Sequence, residues 1–264
     1  MIITQLWVYP IKSCQGIALS SADLLSSGLR HDREMMIVDT SGCFVTQRSN
    51  AILAHIGVAL SNDGQVTITD DDESFTFDKS YYRPASAEVW RRRVPAFDQG
   101  DDVADCLSDI IGHKVRLLAT RPSDTAHADK PILFQDGQAV HVLTEFSLQH
   151  AQQMLADYDI DVRRFRPNIV IGAAAGDACK SNQFSAFMED KWKHLQTEQV
   201  ELSITKLCER CVVPTINPQT LSKEKAVYTY FKAHRLVNKK SVFGVCGYGT
   251  KLGKLAVGDK VIVK

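Results

Sequence analysis

Cys208-Glu209-Arg210-Cys211 is the stretch of this sequence best suited to chemistry. A thiolate is both a nucleophile and a soft metal ligand, so a C-x-x-C pair has several readings. Structural zinc needs two further ligands, and only the isolated His234 and Cys246 are at hand. A thioredoxin-like redox pair opens a helix whose dipole lowers the thiol pKa, but Pro214 and Asn217-Pro218 follow here and oppose one. One cysteine holding a transition metal, or a plain structural role for both, stays open beside these.

A second stretch, Arg164-Phe165-Arg166-Pro167-Asn168-Ile169-Val170-Ile171, sets two arginines just before a buried apolar run. Pro167 restricts the backbone of Arg166, and an arginine held rigidly beside a sheet edge suits bidentate capture of a phosphate. A salt-bridged surface pair is the ordinary alternative. A third stretch, Tyr9-Pro10-Ile11-Lys12-Ser13-Cys14, precedes Arg30-His31-Asp32-Arg33 and adds a lysine, a hydroxyl and another arginine. Surface charge explains each residue singly. Together the three stretches supply several anion-binding groups and one thiolate, enough for a phosphorylated metal cofactor.

The elements that must position these groups are mostly strands. Apolar-rich runs at 35–38 and 44–47 flank Asp39-Thr40-Ser41-Gly42, and runs at 57–60 and 66–69 flank Asn62-Asp63-Gly64. Val66, Ile68, Phe75 and Phe77 alternate with polar residues, as half-buried antiparallel strands do. Val103, Leu107, Ile110 and Ile111 predict one helix stopped by Gly112, followed by a strand over 114–119. The turn-rich, aperiodic tract 121–131 marks a boundary, giving domains 1–120 and 121–264. Beyond it come a strand over 140–143 and a helix capped by Thr144, with Leu148, Ala151, Leu155 and Tyr158 on one side. Strands over 168–172, 200–207 and 257–263 complete the reading. The fold class is mainly β with a few helices, in β-barrel-like domains rather than a doubly wound α/β sheet.

The 264 residues carry 31 Lys+Arg against 31 Asp+Glu, so no global basic field gathers nucleic acid or anionic lipid. Neither nucleic acid nor membrane is expected as a partner, and any anion must be held by a few local cations. The N-terminus lacks the basic and apolar regions of a signal peptide. The cysteines (Cys14, Cys43, Cys106, Cys179, Cys208, Cys211 and Cys246) are scattered and odd in number, which reads as reduced thiols and a cytoplasmic location.

These residues carry a resemblance. Trp7, Lys12-Ser13-Cys14, Gly28-Leu29-Arg30, Asp32-Arg33 and Thr46-Gln47-Arg48 resemble the β-barrel domain that precedes MOSC domains. Val89-Trp90, Asp98-Gln99-Gly100, Leu107-Ser108 and Gly112 look like the rest of it. Phe165-Arg166-Pro167-Asn168-Ile169 and Cys208-Glu209-Arg210-Cys211 are similar to the two hallmark segments of the MOSC domain itself. The order covers nearly the whole chain and is similar to the mitochondrial amidoxime-reducing component and its bacterial counterparts.

The resemblance implies a molybdenum cofactor, Mo-molybdopterin, with Cys211 as metal ligand and catalytic centre. It implies cofactor contacts at Lys12, Ser13, Arg33, Asp136, Gly137, Gln138, Arg166, Glu209 and Arg210, with Cys208 structural. The activity implied is an oxidoreductase that reduces N-hydroxylated or N-oxygenated small molecules. The alternative is a sulfur-carrying, cofactor-binding module like the end of molybdenum cofactor sulfurase, without oxygen transfer of its own. The chain departs from the family pattern at Arg91-Arg92-Arg93, a local basic patch, and at Asn217, where relatives often carry an acid. It shows no iron–sulfur cysteine set, no dinucleotide fingerprint and no haem-attachment pair. Electrons are therefore expected from an external ferredoxin, flavodoxin or reductase, with Arg91-Arg92-Arg93 as a candidate docking point.

Overall fold

The computed structural model describes residues 1–61, 63–125, 131–174 and 184–264. Asn62, Cys179, and His127 with the rest of 126–130 lie outside the described residues. The chain is mainly β, as the strand and turn signals predict. Two compact units emerge: Met1–Trp7 with Ala18–Arg30 and Gln138–Lys264, and Val8–Ile17 with His31–Gly137. Among the described residues no helix is long and apolar enough to cross a membrane.

In the first unit the sheet runs in the order Ile262–Val263, His194–Gln196, Glu201–Glu209, Lys240–Lys251, Val140–Thr144, Ile169–Gly172, Ile2–Val8. Val140–Thr144 and Ile169–Gly172 pair in parallel, a geometry that needs a crossover, and the helix Glu145–Met154 lies within it. Both strands are buried along their whole length, which is why each reads as a near-continuous apolar run. The crossover helix begins where Thr144 Oγ1 accepts from Ser147 N at 3.2 Å. Beneath it Phe165 stacks on Phe243 with ring centres 4.2 Å apart, inside a cluster that includes Leu143, Val170, Val227 and Phe231. That stack fixes the backbone immediately before Arg166.

The second unit contains an antiparallel sheet in the order Met35–Asp39, Val115–Ala119, Arg92–Asp98, Pro84–Val89. Met35 and Ile37 face one apolar cluster while Met36 and Val38 face another, so this sheet is buried on both faces. A three-stranded meander, Gly57–Leu60, Gln65–Asp70 and Glu73–Asp78, adds Val66 and Ile68 to the first of these clusters. The expected helix spans Asp101–Ile111, and Gly112 ends it at φ 84 with its N–H on Ser108 O.

Three local expectations change. No strand covers 44–47: Phe44 makes only a bridge to Val38, and Thr46 O then accepts from Ser49 and Asn50, turning the chain away. The terminal strand is only Ile262–Val263, because Val257-Gly258 is a turn in which Asp259 Oδ2 accepts from Ala256 N. The helix Lys225–His234 has no counterpart in the sequence reading.

Glu34 is a buried acid of the second unit, with Lys79 Nζ at 2.5 Å and His31 N at 3.0 Å. Burial pushes its pKa up, but the hydrogen bonds and charges of His31 and Lys79 outweigh that and bring it down to about 2. A depressed carboxylate contributes stability that is complete above its unfolded pKa, near 4.5, and is lost as pH falls through about 2. The shift corresponds to about 3 kcal/mol. Urea midpoints of wild type and Glu34→Gln should differ at pH 7 and converge toward pH 2.5. A gap independent of pH would show that Glu34 acts through packing alone.

Candidate functional site

In the first unit the strand Glu201–Glu209 pairs with Lys240–Lys251, and Arg210 N extends the ladder to Ser241 O at 2.7 Å. Cys211 is released at the strand end, exposed, with Val213 N 3.5 Å from its sulfur. Pro214 lies in the short turn Val213–Thr215 that follows, so no long helix starts here, as its position predicts. The Arg210 guanidinium reaches back: Nη1 donates to Cys208 Sγ at 3.1 Å and Nη2 to Phe165 O at 2.9 Å. Its Nε is buried with no hydrogen-bond partner among the described residues.

Cys208 has a surrounding that its spacing from Cys211 does not disclose. The Cys246 thiol donates to its sulfur, which pulls the Cys208 pKa well down against the effect of burial, and His141 and Arg210 add to the pull. Cys246 moves the opposite way, because it gives that hydrogen bond and is itself buried. His141 Nε2 also lies 3.2 Å from Phe243 O. Space for this contact requires Gly244, at φ +73, where a Cβ would stand 2.6 Å from His141 Nε2 and from Val142 O.

The two arginines of the second stretch separate in role. Arg166 is half-buried at φ 54, held between buried Phe165 and the clamp of Asn168, whose Oδ1 accepts from His141 N at 3.0 Å. Arg164 is 2% exposed. Its guanidinium pairs with Glu224 Oε2 at 2.7 Å and donates to Asp159 O and Pro214 O. Glu224 in turn accepts from Asn217 Nδ2 at 2.8 Å, while Asn217 Oδ1 accepts from Gln219 N. An amide suits position 217 because it must give one hydrogen bond and take another. Arg164 thus ties down the loop after Cys211 and is unavailable to an external anion.

The second unit gathers another set. Lys12 is 5% exposed, with Nζ 2.7 Å from Phe134 O and 2.6 Å from Asp136 Oδ1. Burial drives the Lys12 pKa down against the attraction of Asp136. Desolvation acts to raise Asp136, but Lys12 and the Trp90 indole N–H at 2.8 Å hold it well below the usual carboxylate range. Arg33 lies on the Tyr9 ring at 4.4 Å and donates to both oxygens of buried Asp32, at 2.6 and 2.5 Å. Ser13 stands at φ 74, its carbonyl accepting from buried Gln47 at 2.6 Å. Arg48 lies over the half-exposed Trp90 at 5.0 Å.

The structure thus brings Lys12 together with Asp136, and Arg210 with Cys208 beside Cys211. Gly137 adjoins Asp136, whereas Gln138 falls in the first unit. Glu209 is exposed and paired with Lys240 at 2.9 Å, away from the Arg210–Cys208 contact. The basic patch needs correction: Arg92 donates to the carbonyls of Ile132, Leu133 and Gln135, so only Arg91 and Arg93 are exposed. Trp90 and Arg91 form the two-residue hairpin turn, both at positive φ. His234 is exposed beside Tyr230. Among the described residues no group of three or more His, Cys, Asp or Glu is placed to hold a metal ion. Sequence reasoning missed Asp32 as a partner, Trp90 as a donor, and Cys246 with His141 beside Cys208. Only strand register could have revealed the last pair.

A family model for the MOSC N-terminal beta barrel domain matches residues 1–114, and one for the MOSC domain matches residues 129–262. The chain belongs to the MOSC family. Mitochondrial amidoxime-reducing component 1 of Mus musculus is 26% identical, over 98% of this chain and 81% of that protein. Mitochondrial amidoxime reducing component 2 of Bos taurus is 26% identical, over 98% and 82%. Molybdenum cofactor sulfurase of Drosophila grimshawi is 27% identical over 99% of this chain but only 34% of its own length.

Truncating one partner of the Arg164–Glu224 pair leaves a buried charge uncompensated, at a cost of about 3–5 kcal/mol. Urea unfolding of Arg164→Ala should show a loss of that size, and the double variant Arg164→Met/Glu224→Leu should lose clearly less than the two single alanine variants combined. Strict additivity would mean the pair is not coupled.

Proposed function

We propose that this chain binds a molybdenum–pterin cofactor through Cys211 and reduces N-oxygenated small molecules with electrons from a separate protein. The observation that carries the reading is the presentation of Cys211. An exposed thiol stands at a strand end, on backbone anchored by Arg210 N and by the Arg164–Glu224 pair, beside an arginine with a buried, unpartnered Nε. A rigid soft donor beside an unspent cationic donor suits a metal cofactor that also carries anionic groups. The family match and the amidoxime-reducing relatives support the choice of cofactor and reaction class.

Once bound, the cofactor supplies two-electron oxygen-transfer chemistry at a sulfur-ligated metal. The protein's own residues bind and orient. Lys12, Ser13, Arg33 and Arg166 offer N–H and O–H donors to phosphate and pterin oxygens. Asp136, with Gly137 and Gln138, offers acceptors to pterin N–H groups, and the ionised state of Asp136 suits that role. Arg210 contributes its remaining N–H, and Glu209 at most its backbone, since its carboxylate is turned to Lys240. Removal of oxygen from an N-hydroxylated substrate consumes two electrons. The sequence carries no iron–sulfur cysteine set, dinucleotide fingerprint or haem-attachment pair to supply them, which favours a ferredoxin, flavodoxin or reductase as donor.

Protein made in a host that synthesises the cofactor should carry one molybdenum and one pterin per chain. Cys211→Ala should abolish molybdenum retention, and Cys208→Ala should reduce it less. Arg33→Ala and Arg166→Ala should lower pterin content, with Arg166→Lys restoring only part of it because bidentate geometry is lost. The wild type should reduce an amidoxime with a chemical reductant or a cellular reductase fraction, and not with NADH alone. Zinc in place of molybdenum, lost equally from both cysteine variants, would defeat the reading. The sulfurase relative suggests a second one, a sulfur-carrying module. Sulfur transfer without amidoxime turnover would select it.

A further inference from the structure

The proposed cofactor chemistry uses Cys211 and leaves Cys208 without a task, although its surroundings are the more specialised. On the antiparallel strands Glu201–Glu209 and Lys240–Lys251, Lys206 stands opposite Cys246. Cys208 lies two residues further along, so its side chain points to the same face as Cys246, a diagonal neighbour within reach. An irregularity between Leu207 and Glu209 adds twist at this point. Arg210 Nη1 donates to the sulfur of Cys208 at 3.1 Å, and Cys246 with His141, its partner on the neighbouring strand Val140–Thr144, acts in the same sense by favouring the charged form of Cys208. A cation held against the sulfur favours a thiolate over a neutral thiol. Cys208 is half-buried and Cys246 buried, so the first is the more accessible of the two thiols. Cys211 belongs to a different environment, exposed and near Val213 N.

We propose that Cys208 is a peroxide-reactive thiolate and Cys246 its resolving thiol, so that oxidation closes a Cys208–Cys246 disulfide across the two strands and leaves Cys211 out of it. In the first step the Cys208 sulfur attacks one oxygen of hydrogen peroxide, the O–O bond breaks, and the departing hydroxide takes a proton to leave as water. Cys208 becomes a sulfenic acid, oxidised by two electrons. In the second step Cys246 loses its proton, its sulfur attacks the sulfenic sulfur, and the hydroxyl departs as a second water. One peroxide and two thiols become one disulfide and two waters. The Arg210 Nη1 contact then faces a neutral disulfide rather than a thiolate, which couples the oxidation state of the strand pair to the arginine beside Cys211. The proposal does not rest on the molybdenum reading, which metal analysis tests separately.

Peptide mapping decides it, because tryptic cleavage after Lys206, Arg210, Lys223, Lys240 and Lys251 puts the three cysteines on peptides 207–210, 211–223 and 241–251. The full chain as purified is exposed to hydrogen peroxide, freed of it, alkylated in denaturant and digested without reductant. Peptide 207–210 should be joined to 241–251, with 211–223 alkylated. The Cys211→Ser variant should give the same link. In Cys246→Ser the Cys208 sulfenic acid should persist and be captured by a cyclic 1,3-dione, a label that Cys208→Ser should lose from this strand pair. A link between 207–210 and 211–223, or full alkylation of Cys208 at a peroxide dose that oxidises exposed Cys43, would overturn the proposal.

Discussion

Arg210 is the residue on which the arrangement of the first unit's site depends. Its backbone N–H closes the strand pair at Ser241, one guanidinium nitrogen donates to the carbonyl of Phe165, and another to the sulfur of Cys208. Three segments distant in sequence, 165–166, 208–211 and 241–242, are thereby set against one side chain. A hydrogen bond from a charged donor is worth about 1.5–3 kcal/mol. Burial works against the Arg210 charge, and the Cys208 sulfur outweighs it, so the guanidinium is held more firmly cationic than an exposed one. The guanidinium and the Cys208 sulfur thus each favour charge on the other, against the burial that opposes it.

Backbone strain occurs at three of the candidate contacts, though not there alone. Ser13, Arg33 and Arg166 are non-glycine residues at positive φ, as are His31, Asp71, Trp90, Arg91, Phe187, Leu221, Asn238 and Lys239. Each costs about 1–3 kcal/mol and persists only where the surroundings over-determine it. Those surroundings are visible. Gln47 holds the carbonyl of Ser13, Tyr9 O accepts from Arg33 N, and the buried ring of Phe165 with the Asn168 clamp brackets Arg166. A fold that maintains this conformation at three polar side chains is placing those side chains, since simple packing would have been better met by glycine or an ordinary turn.

What the sequence discloses and what it hides divide along a physical line. Signals local in the chain survive folding: the Asp101–Ile111 helix with its glycine stop, the Thr144 cap, and the alternation at Val66 and Ile68. Lys12, Arg33, Arg166 and Cys211 are singled out by family resemblance rather than by spacing. What no local pattern carries is cross-strand register. Cys246 and His141 are remote from Cys208 in sequence and adjacent only because two strand pairings align them. Arg92 looks like one third of a charged patch until the loop carbonyls it satisfies are placed beside it. The Lys225–His234 helix was missed although Val227, Tyr230 and Phe231 show the right spacing, because tyrosine, threonine and valine blur the propensity signal.

The second unit shows how a chain with no net charge holds several cations in fixed positions. Its cations are already engaged: Lys12 with Asp136, Arg33 with Asp32 and the Tyr9 ring, Arg48 over Trp90. Leaving them free would expose the unit to self-repulsion and to any passing anion. Engaged, they are held in place by partners that differ in how completely they neutralise charge. Asp32 spends both oxygens on Arg33 while also accepting from Tyr9 N, so this arginine is oriented as much as compensated. The aromatic faces of Tyr9 and Trp90 attract a guanidinium without cancelling its charge or consuming its N–H groups. The Trp90 face thus holds Arg48 without drawing on its N–H groups, while Asp32 and the Tyr9 ring fix the orientation of Arg33. The desolvation and side-chain entropy of assembling them are met by folding, and this is the sense in which the unit is preorganised.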